Sequence, residues 1–458
     1  MAQGPPSKPN VIVCLLDQLR AFEVGAYGNS AIHTPNMDRL AAGGVRFEIA
    51  CSNNPVCTPG RSILLSGQYG RTCTGVLGNA DEPVPTREKF PNRTIAEAFR
   101  SAGYATGLIG KWHVHVDPAL LGFDTAFYPL VPHRYTGQTF IDSRDEGFTT
   151  DRFCPEVEQE ELDRWLSERK ETPFFLYYNI SQPHMPLADV PERYKTMYSR
   201  DTVPLRENVW TDGKPAYNEN WFRIYLWDFL FYREHLPYTE SLPDGFDLRD
   251  LTALYYGATT WADDQVGNLL RMLEENSLLE NTILLFTSDH GDNLGSHGLF
   301  NKDVLYEESI RVPMIYHWPA GLAPRAIDTQ VASLVDVMPT LLSLSGQSIP
   351  EGIQGTDLSD VARGEASEIG PNAAFIETTS MTSGVRTLSH LYGLKMDKGP
   401  DGKPHGTPDP ALFFDLDRDP LQQRNLAGTS EQRDLAGELR ERVMEWDAAT
   451  PWLPSVDC

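Results

Sequence analysis

The chain has 458 residues, 40% of them hydrophobic and 22% charged, a composition that supports a globular core and excludes a disordered protein. With 64 acidic against 39 basic side chains the net charge is −25, which argues against nonspecific binding to nucleic acid or to an anionic membrane. The length suits about three domains at roughly 150 residues each, or one large α/β body with a small companion.

The longest unbroken apolar run, Val11 to Leu16, is far short of the roughly 18 residues a membrane span needs. It ends at Asp17 with no small-residue cleavage site, so neither a transmembrane helix nor a signal peptide is expected. As it stands the chain reads as cytoplasmic, or as periplasmic or secreted if an export signal has been removed. Val11–Leu16 is the first expected strand. Thr34-Pro35 then opens a helix, with Thr34 as N-cap, Pro35 at the first helical position and Gly43-Gly44 as its stop. Further strands are expected over Tyr104–Ile109, Phe174–Ile180 and Ile283–Ser288, with a helix over about Leu251–Asn276 before the last.

This alternation of apolar runs and helical patterns gives βαβ units. The fold class is therefore α/β, a large, mostly parallel sheet sandwiched by helices. Residues 186–243 are aromatic-rich and poorly periodic, which suits a packed insertion or an aromatic pocket wall. From about Pro371 the pattern shifts to short strands, a Gly/Pro-rich loop near Lys398–Pro410 and an amphipathic helix around Glu431–Trp446. The expected division is a catalytic unit over 1–370 and a C-terminal α+β subdomain over 371–458 with a short antiparallel sheet.

Six cysteines (Cys14, Cys51, Cys57, Cys73, Cys154, Cys458) without a CxxC pair make neither a disulfide framework nor a zinc site. In open parallel sheets ligands sit at the carboxyl ends of the strands, so the residues after each strand matter most. They are Asp17-Gln18, Gly110-Lys111-Trp112-His113, Ser181-Gln182-Pro183-His184 and Asp289-His290-Gly291-Asp292. Asp17, Gln18, Asp289 and His290 together offer carboxylate, amide and imidazole donors suited to one divalent cation. In Cys57-Thr58-Pro59-Gly60-Arg61, Pro59 marks a first helical turn, so Cys57 sits at a helix N-terminus, where N–H groups favour an anion. Arg61 follows as a bidentate oxyanion partner.

Cys57-x-Pro59-x-Arg61 with Ser62 and Leu65-Ser66-Gly67 resembles the type I, formylglycine-dependent sulfatase signature of the alkaline phosphatase superfamily. The resemblance continues in family order through Asn10–Gln18, His33–Leu40, Gly110–His113, Pro183–Pro186, Thr287–Asp292, Asp336–Thr340 and Phe414–Pro420. It implies a sulfuric ester hydrolase acting on a carbohydrate sulfate, with formylglycine made from Cys57 by a maturation enzyme and one divalent metal held by Asp17, Gln18, Cys57, Asp289 and His290. Calcium is the family's usual ion. The Gln18 and His290 variants, where many relatives carry Asp and Asn, leave manganese open, and Gly60 stands where Ser is common. The implied catalytic set is Cys57, Arg61, Lys111, His113, His184 and Lys302, with Asn79, Lys111, His184 and Lys302 meeting the substrate. Choline or aryl sulfates, and phosphonate monoesters or phosphodiesters on the same scaffold, are the alternatives. The substrate would be a small-molecule or oligosaccharide sulfate ester; no nucleic acid or membrane partner is implied, and homo-oligomerisation is left open.

Overall fold

The computed structural model describes residues 8–79, 89–131, 133–144, 147–211, 214–215, 245–398 and 404–453. Most of the aromatic insertion, from Tyr217 to Tyr232, lies outside the described residues, as does Cys458. Strands β1 (Asn10–Asp17), β2 (Val45–Cys51), β3 (Ala105–Gly110), β4 (Thr125–Pro129), β5 (Gln138–Asp142), β6 (Phe148–Thr150), β7 (Phe174–Pro183), β10 (Thr282–Ser288), β11 (Met314–His317) and β12 (Arg325–Ser333) form one ten-stranded sheet. Between them β8 (Trp210–Thr211) and β9 (Lys214–Pro215) make a small separate hairpin. The order is β12-β2-β11-β10-β1-β7-β3-β4-β5-β6.

β1 is central because its run Val11–Leu16 is apolar on both faces. Val11, Val13 and Leu15 enter the core on one side of the sheet and Ile12, Cys14 and Leu16 the core on the other. At about 1.5–3 kcal/mol for each fully buried large aliphatic, this one strand commits the sheet to burial on both faces. It pairs in parallel with β10 and β7, and β7 with β3, so four strand ends lie in a row at one edge. β5 and β11 pair antiparallel with their neighbours, which makes the sheet mixed but mostly parallel.

The helix after β1 runs Pro35–Gly43, but Thr34 is not its side-chain cap. The carboxylate of Asp263, on the long helix Leu248–Glu275, accepts from the Asn36 and Met37 amides instead. A tertiary acceptor thus replaces the local one, and Thr34 Oγ1 accepts from Gly25 N.

Beyond the large sheet, β13 (Ala374–Glu377), β14 (Thr382–Arg386), β15 (His390–Lys398) and β16 (Pro404–Asp415) form an antiparallel sheet in that order. The expected loop over Lys398–Pro410 is largely strand, since β16 starts at Pro404 and pairs with Lys398; residues 399–403 are outside the described set. Proline suppressed the strand reading, but Pro404 and Pro410 both sit within the pairing of an outermost strand, where a missing N–H costs little. The terminal helix Arg433–Ala449 covers this sheet, with Trp446 stacked on Phe375. Among the described residues no helix is long and apolar enough to cross a membrane.

Candidate active site

The four strand ends bring their polar residues together. Asp17 and Gln18 leave β1, Lys111 and His113 follow β3, His184 follows β7, and Asp289 and His290 follow β10. Gly110 makes the turn that delivers Lys111: its φ is +88°, and a Cβ there would lie 2.0 Å from the Asn179 carbonyl oxygen. Gln18 (φ 66°) and His113 (φ 47°) also adopt left-handed backbone, uncommon for residues that are not glycine.

The helix Cys57–Ser66 meets this edge with Cys57 as its first residue, fully buried. Its close approach depends on Gly60, where a Cβ would sit 2.9 Å from the Asp289 carbonyl oxygen. Asn79 Oδ1 accepts from the Thr58 amide at 3.0 Å, satisfying one free donor of this helix end. Cys57 Sγ lies 3.0 Å from Lys302 Nζ, 3.2 Å from His290 Nε2 and 3.8 Å from Asp17 Oδ1. Arg61, one turn on, donates to Asp289 Oδ2 (3.0 Å), Asp17 Oδ2 (2.9 Å) and the Lys111 carbonyl oxygen (3.1 Å). Lys111 Nζ bonds Asp17 Oδ2, and Lys302 Nζ reaches Gln18 Oε1 (3.2 Å) and His184 Nε2 (3.4 Å).

Donor atoms of Asp17, Cys57, Asp289 and His290 all lie within 4.8 Å of one another, and all four residues are buried. Two carboxylates held this close need a positive charge between or beside them, and the donor set suits a hard to borderline divalent cation. His290 Nδ1 lies 2.9 Å from the Gly291 carbonyl oxygen, which as an acceptor fixes the Nδ1–H tautomer and leaves Nε2 for the cluster. Gln18 shares in this because its Nε2 is tied to Asp292, so its amide oxygen faces Lys302 and the cluster.

Burial and the Cys57 sulfur push the Asp17 carboxyl up, but Lys111, His184 and Arg61 outweigh them and hold it well below the usual range. Asp289 moves the other way, to about 6, through burial and the neighbouring Asp17 charge. Burial would push the Cys57 thiol up, yet Lys302, Lys111 and His290 draw it well below its ordinary value. Burial holds His184 down at about 4, with Lys302 and Lys111 adding to it, so its imidazole is neutral. His184 Nδ1 faces the Met185 carbonyl oxygen at 2.7 Å, which turns Nε2 toward Lys302.

Two residues to which the sequence assigns no role belong here. Asp292 orients Gln18, and its place in Asp289-His290-Gly291-Asp292 was a usable signal. His133, from the loop between β4 and β5, lies against His184, His113 and Lys111; no motif marks it. His297 stacks on Tyr306 and bonds Asn208.

A profile of the sulfatase family matches residues 9–347, and one of the C-terminal region of N-sulphoglucosamine sulphohydrolase matches residues 295–449. The chain is 31% identical over 463 aligned positions to an ulvan-active sulfatase of Formosa agariphila, covering 96% of this chain and 81% of that protein. It is 25% identical to an N-acetylglucosamine-6-O-sulfatase of Bacteroides thetaiotaomicron, covering 96% and 86% respectively. Its fold matches that of BT4656, solved with its substrate D-glucosamine-2-N,6-O-disulfate, at a TM-score of 0.80 and 23% identity over 96% of this chain and 98% of the other.

Proposed function

The chain belongs to the sulfatase family and hydrolyses sulfate esters, and from that premise we propose that its substrate is a carbohydrate sulfate, cleaved at formylglycine 57 with one divalent cation, calcium in preference to manganese. The observation that carries the site assignment is the convergence of Lys302 Nζ, His290 Nε2 and Asp17 Oδ1 on Cys57 Sγ, all within 3.8 Å. Support for a sugar comes from the relatives active on ulvan and on N-acetylglucosamine sulfate, and from a groove of about 370 Å3 that starts at His113 and runs past Trp112, Tyr128 and Leu130. We further propose a catalytic unit over 1–370 and a C-terminal subdomain over 371–458.

Asp17, Gln18, Asp289, His290 and residue 57 would hold the cation, which supplies positive charge to lower the pKa of an attacking hydroxyl. Conversion of Cys57 to a hydrated aldehyde supplies two hydroxyls on one carbon: one attacks sulfur and displaces the alcohol, and deprotonation of the other re-forms the carbonyl, breaking the carbon–oxygen bond to the sulfated oxygen and expelling sulfate. The chain's own residues do the rest. Lys302 and His184 face the sulfate: the ammonium offsets charge on its oxygens, and neutral His184, whose Nε2 can accept from Lys302, holds that ammonium in place. Arg61 and Lys111, both tied to Asp17, hold residue 57 and the carboxylates in register. His113, which bonds Cys57, takes the proton from the second hydroxyl at the ring nitrogen that faces residue 57. Asn79 marks the substrate edge beside the helix end.

A desulfation screen over sulfated mono- and oligosaccharides, choline sulfate, nitrophenyl sulfate and a phosphodiester tests the reading, run on protein whose residue 57 peptide has the mass of the aldehyde. The expected result is a sugar sulfate turned over with the highest kcat/KM. A phosphodiester or choline sulfate outrunning every sugar would overturn it. Calcium and manganese, each added back to chelated enzyme, decide the ion.

A further inference from the structure

His133 occupies the middle of the basic cluster. It is 6% exposed, lies flat on His184 (ring centroids 4.0 Å apart, 16° between planes) and meets His113 edge-on at 5.0 Å. Its Nδ1 is 3.1 Å from Lys111 Nζ. A lysine ammonium has three donors and no acceptor, so at this contact Nδ1 accepts and the ring proton sits on Nε2. Burial, reinforced by His184 and Lys111, keeps the ring in that neutral form.

Lys111 is thereby divided among fixed partners. Its carbonyl oxygen accepts from Arg61, one N–H goes to Asp17 Oδ2 and one to His133 Nδ1, which leaves a third N–H for an oxyanion. Without His133 the ammonium would be free to swing about its bond to Asp17. A lysine side chain gives up substantial rotamer freedom to be held in one place, so an acceptor that holds it beforehand lowers the cost of binding.

We propose that His133 is a positioning residue of the sulfatase reaction, an uncharged acceptor that fixes the Lys111 ammonium toward the sulfate end of the substrate. This rests on the sulfatase reading of the site. The competing role is packing alone, as a flat filler between His184 and His113, and the two make different demands. Packing needs a ring; positioning needs an acceptor near Nδ1.

His133→Phe keeps the ring and removes the acceptor, whereas His133→Asn removes the ring and returns an amide oxygen near Nδ1. The assay measures kcat and KM on nitrophenyl sulfate and, by calorimetry, the Kd of inorganic sulfate, with thermal melts confirming that folded proteins are compared. His133→Phe is expected to lower kcat/KM at least tenfold and to weaken sulfate binding by about the same factor, the scale of one lost charge-assisted hydrogen bond. His133→Asn should stay within about threefold of wild type in both. A wild-type-like His133→Phe, or equal losses in both variants, would overturn the proposal. Sulfate binding does not need turnover, so a wild type that binds sulfate but cleaves no ester would fail the activity reading while calorimetry still decides His133.

Discussion

Arg61 and Arg71 lie on successive helical segments, Cys57–Ser66 and Gly70–Cys73, and each sits at the heart of a buried ion cluster. Around Arg71 every direction is taken. Nε meets Glu377, Nη1 meets Asp447, Nη2 reaches Ser383 Oγ, and Trp446 and Trp452 lie within cation–π range. This cluster ties the large sheet's helices to β13, β14 and the terminal helix. Around Arg61 the acceptors are shared: Asp17 also serves Lys111, and Asp289 also accepts from Gln18 N. Lys302 Nζ and His184 Nε2 stand 3.4 Å apart with Asp17 Oδ1 no nearer to His184 than 3.9 Å. Burial and charge are common to both regions. The difference is that one satisfies itself, while the other brings an ammonium, Lys302 Nζ, and two acceptors, His290 Nε2 and Asp17 Oδ1, to a single atom, Cys57 Sγ, an arrangement suited to a cation at the acceptors and an oxyanion at the ammonium.

The sharpest way to break the contrast is a crossed pair of variants. Cys57→Ala is expected to lower turnover at least ~10⁴-fold, about 5.5 kcal/mol, while shifting Tm by only a few degrees, because one small side chain is lost. Arg71→Ala is expected to do the opposite. It strands Glu377, 1% exposed, without its cation, which costs about 3–5 kcal/mol of stability, yet the folded fraction should keep its kcat/KM. Thermal melts and nitrophenyl sulfate kinetics on both variants check this. A Cys57→Ala protein as unstable as Arg71→Ala would mean that the two clusters are alike.

Next in size is Lys302→Ala. Its ammonium is partly buried and lies 3.0 Å from Cys57 Sγ, so if it meets the sulfate as proposed its loss should lower kcat/KM at least about tenfold, roughly 1.4 kcal/mol. Near-silent kinetics would return Lys302 to the role of a solvated surface residue and leave His184 as the chief contact on that side.

Much of the Arg61 region was legible in the sequence because its residues directly follow apolar runs that could only be central strands. Asp17-Gln18 follows Val11–Leu16, and Asp289-His290 follows Ile283–Ser288, so topology alone puts them at one edge. The Arg71 region was not legible, since Glu377 and Asp447 come from elements whose packing no local pattern encodes. β2 escaped for a different reason: Arg46 and Glu48, partly buried and paired along it, interrupt its apolar residues, so it lacks an unbroken apolar run. His133 lies in a loop, where neither period nor motif applies, and only the fold brings it to Lys111. The same holds for Asp263, whose capping of a distant helix overrode the local Thr34 signal.

The smallest expected effect tests the electrostatics that both clusters share. A chain of net charge −25 repels an anionic substrate at long range, so on the proposed reading attraction comes from Lys302, Lys111, Arg61 and a cation held beside them, acting over a few ångström. Raising ionic strength from about 0.05 to about 0.5 M shortens the Debye length roughly threefold, which weakens the long-range repulsion but hardly touches charges buried from solvent. Lys111 and Arg61 are both fully buried, so their fields on the sulfate should survive added salt. kcat/KM for a small sulfate ester should therefore stay level or rise modestly across that range. The Arg71 cluster is buried except at Asp447, whose side chain is 24% exposed, so Tm should fall only slightly with salt if it rests on those ion pairs. A steep fall in kcat/KM with salt would show that an exposed basic patch, and not the buried cradle around residue 57, draws the substrate in.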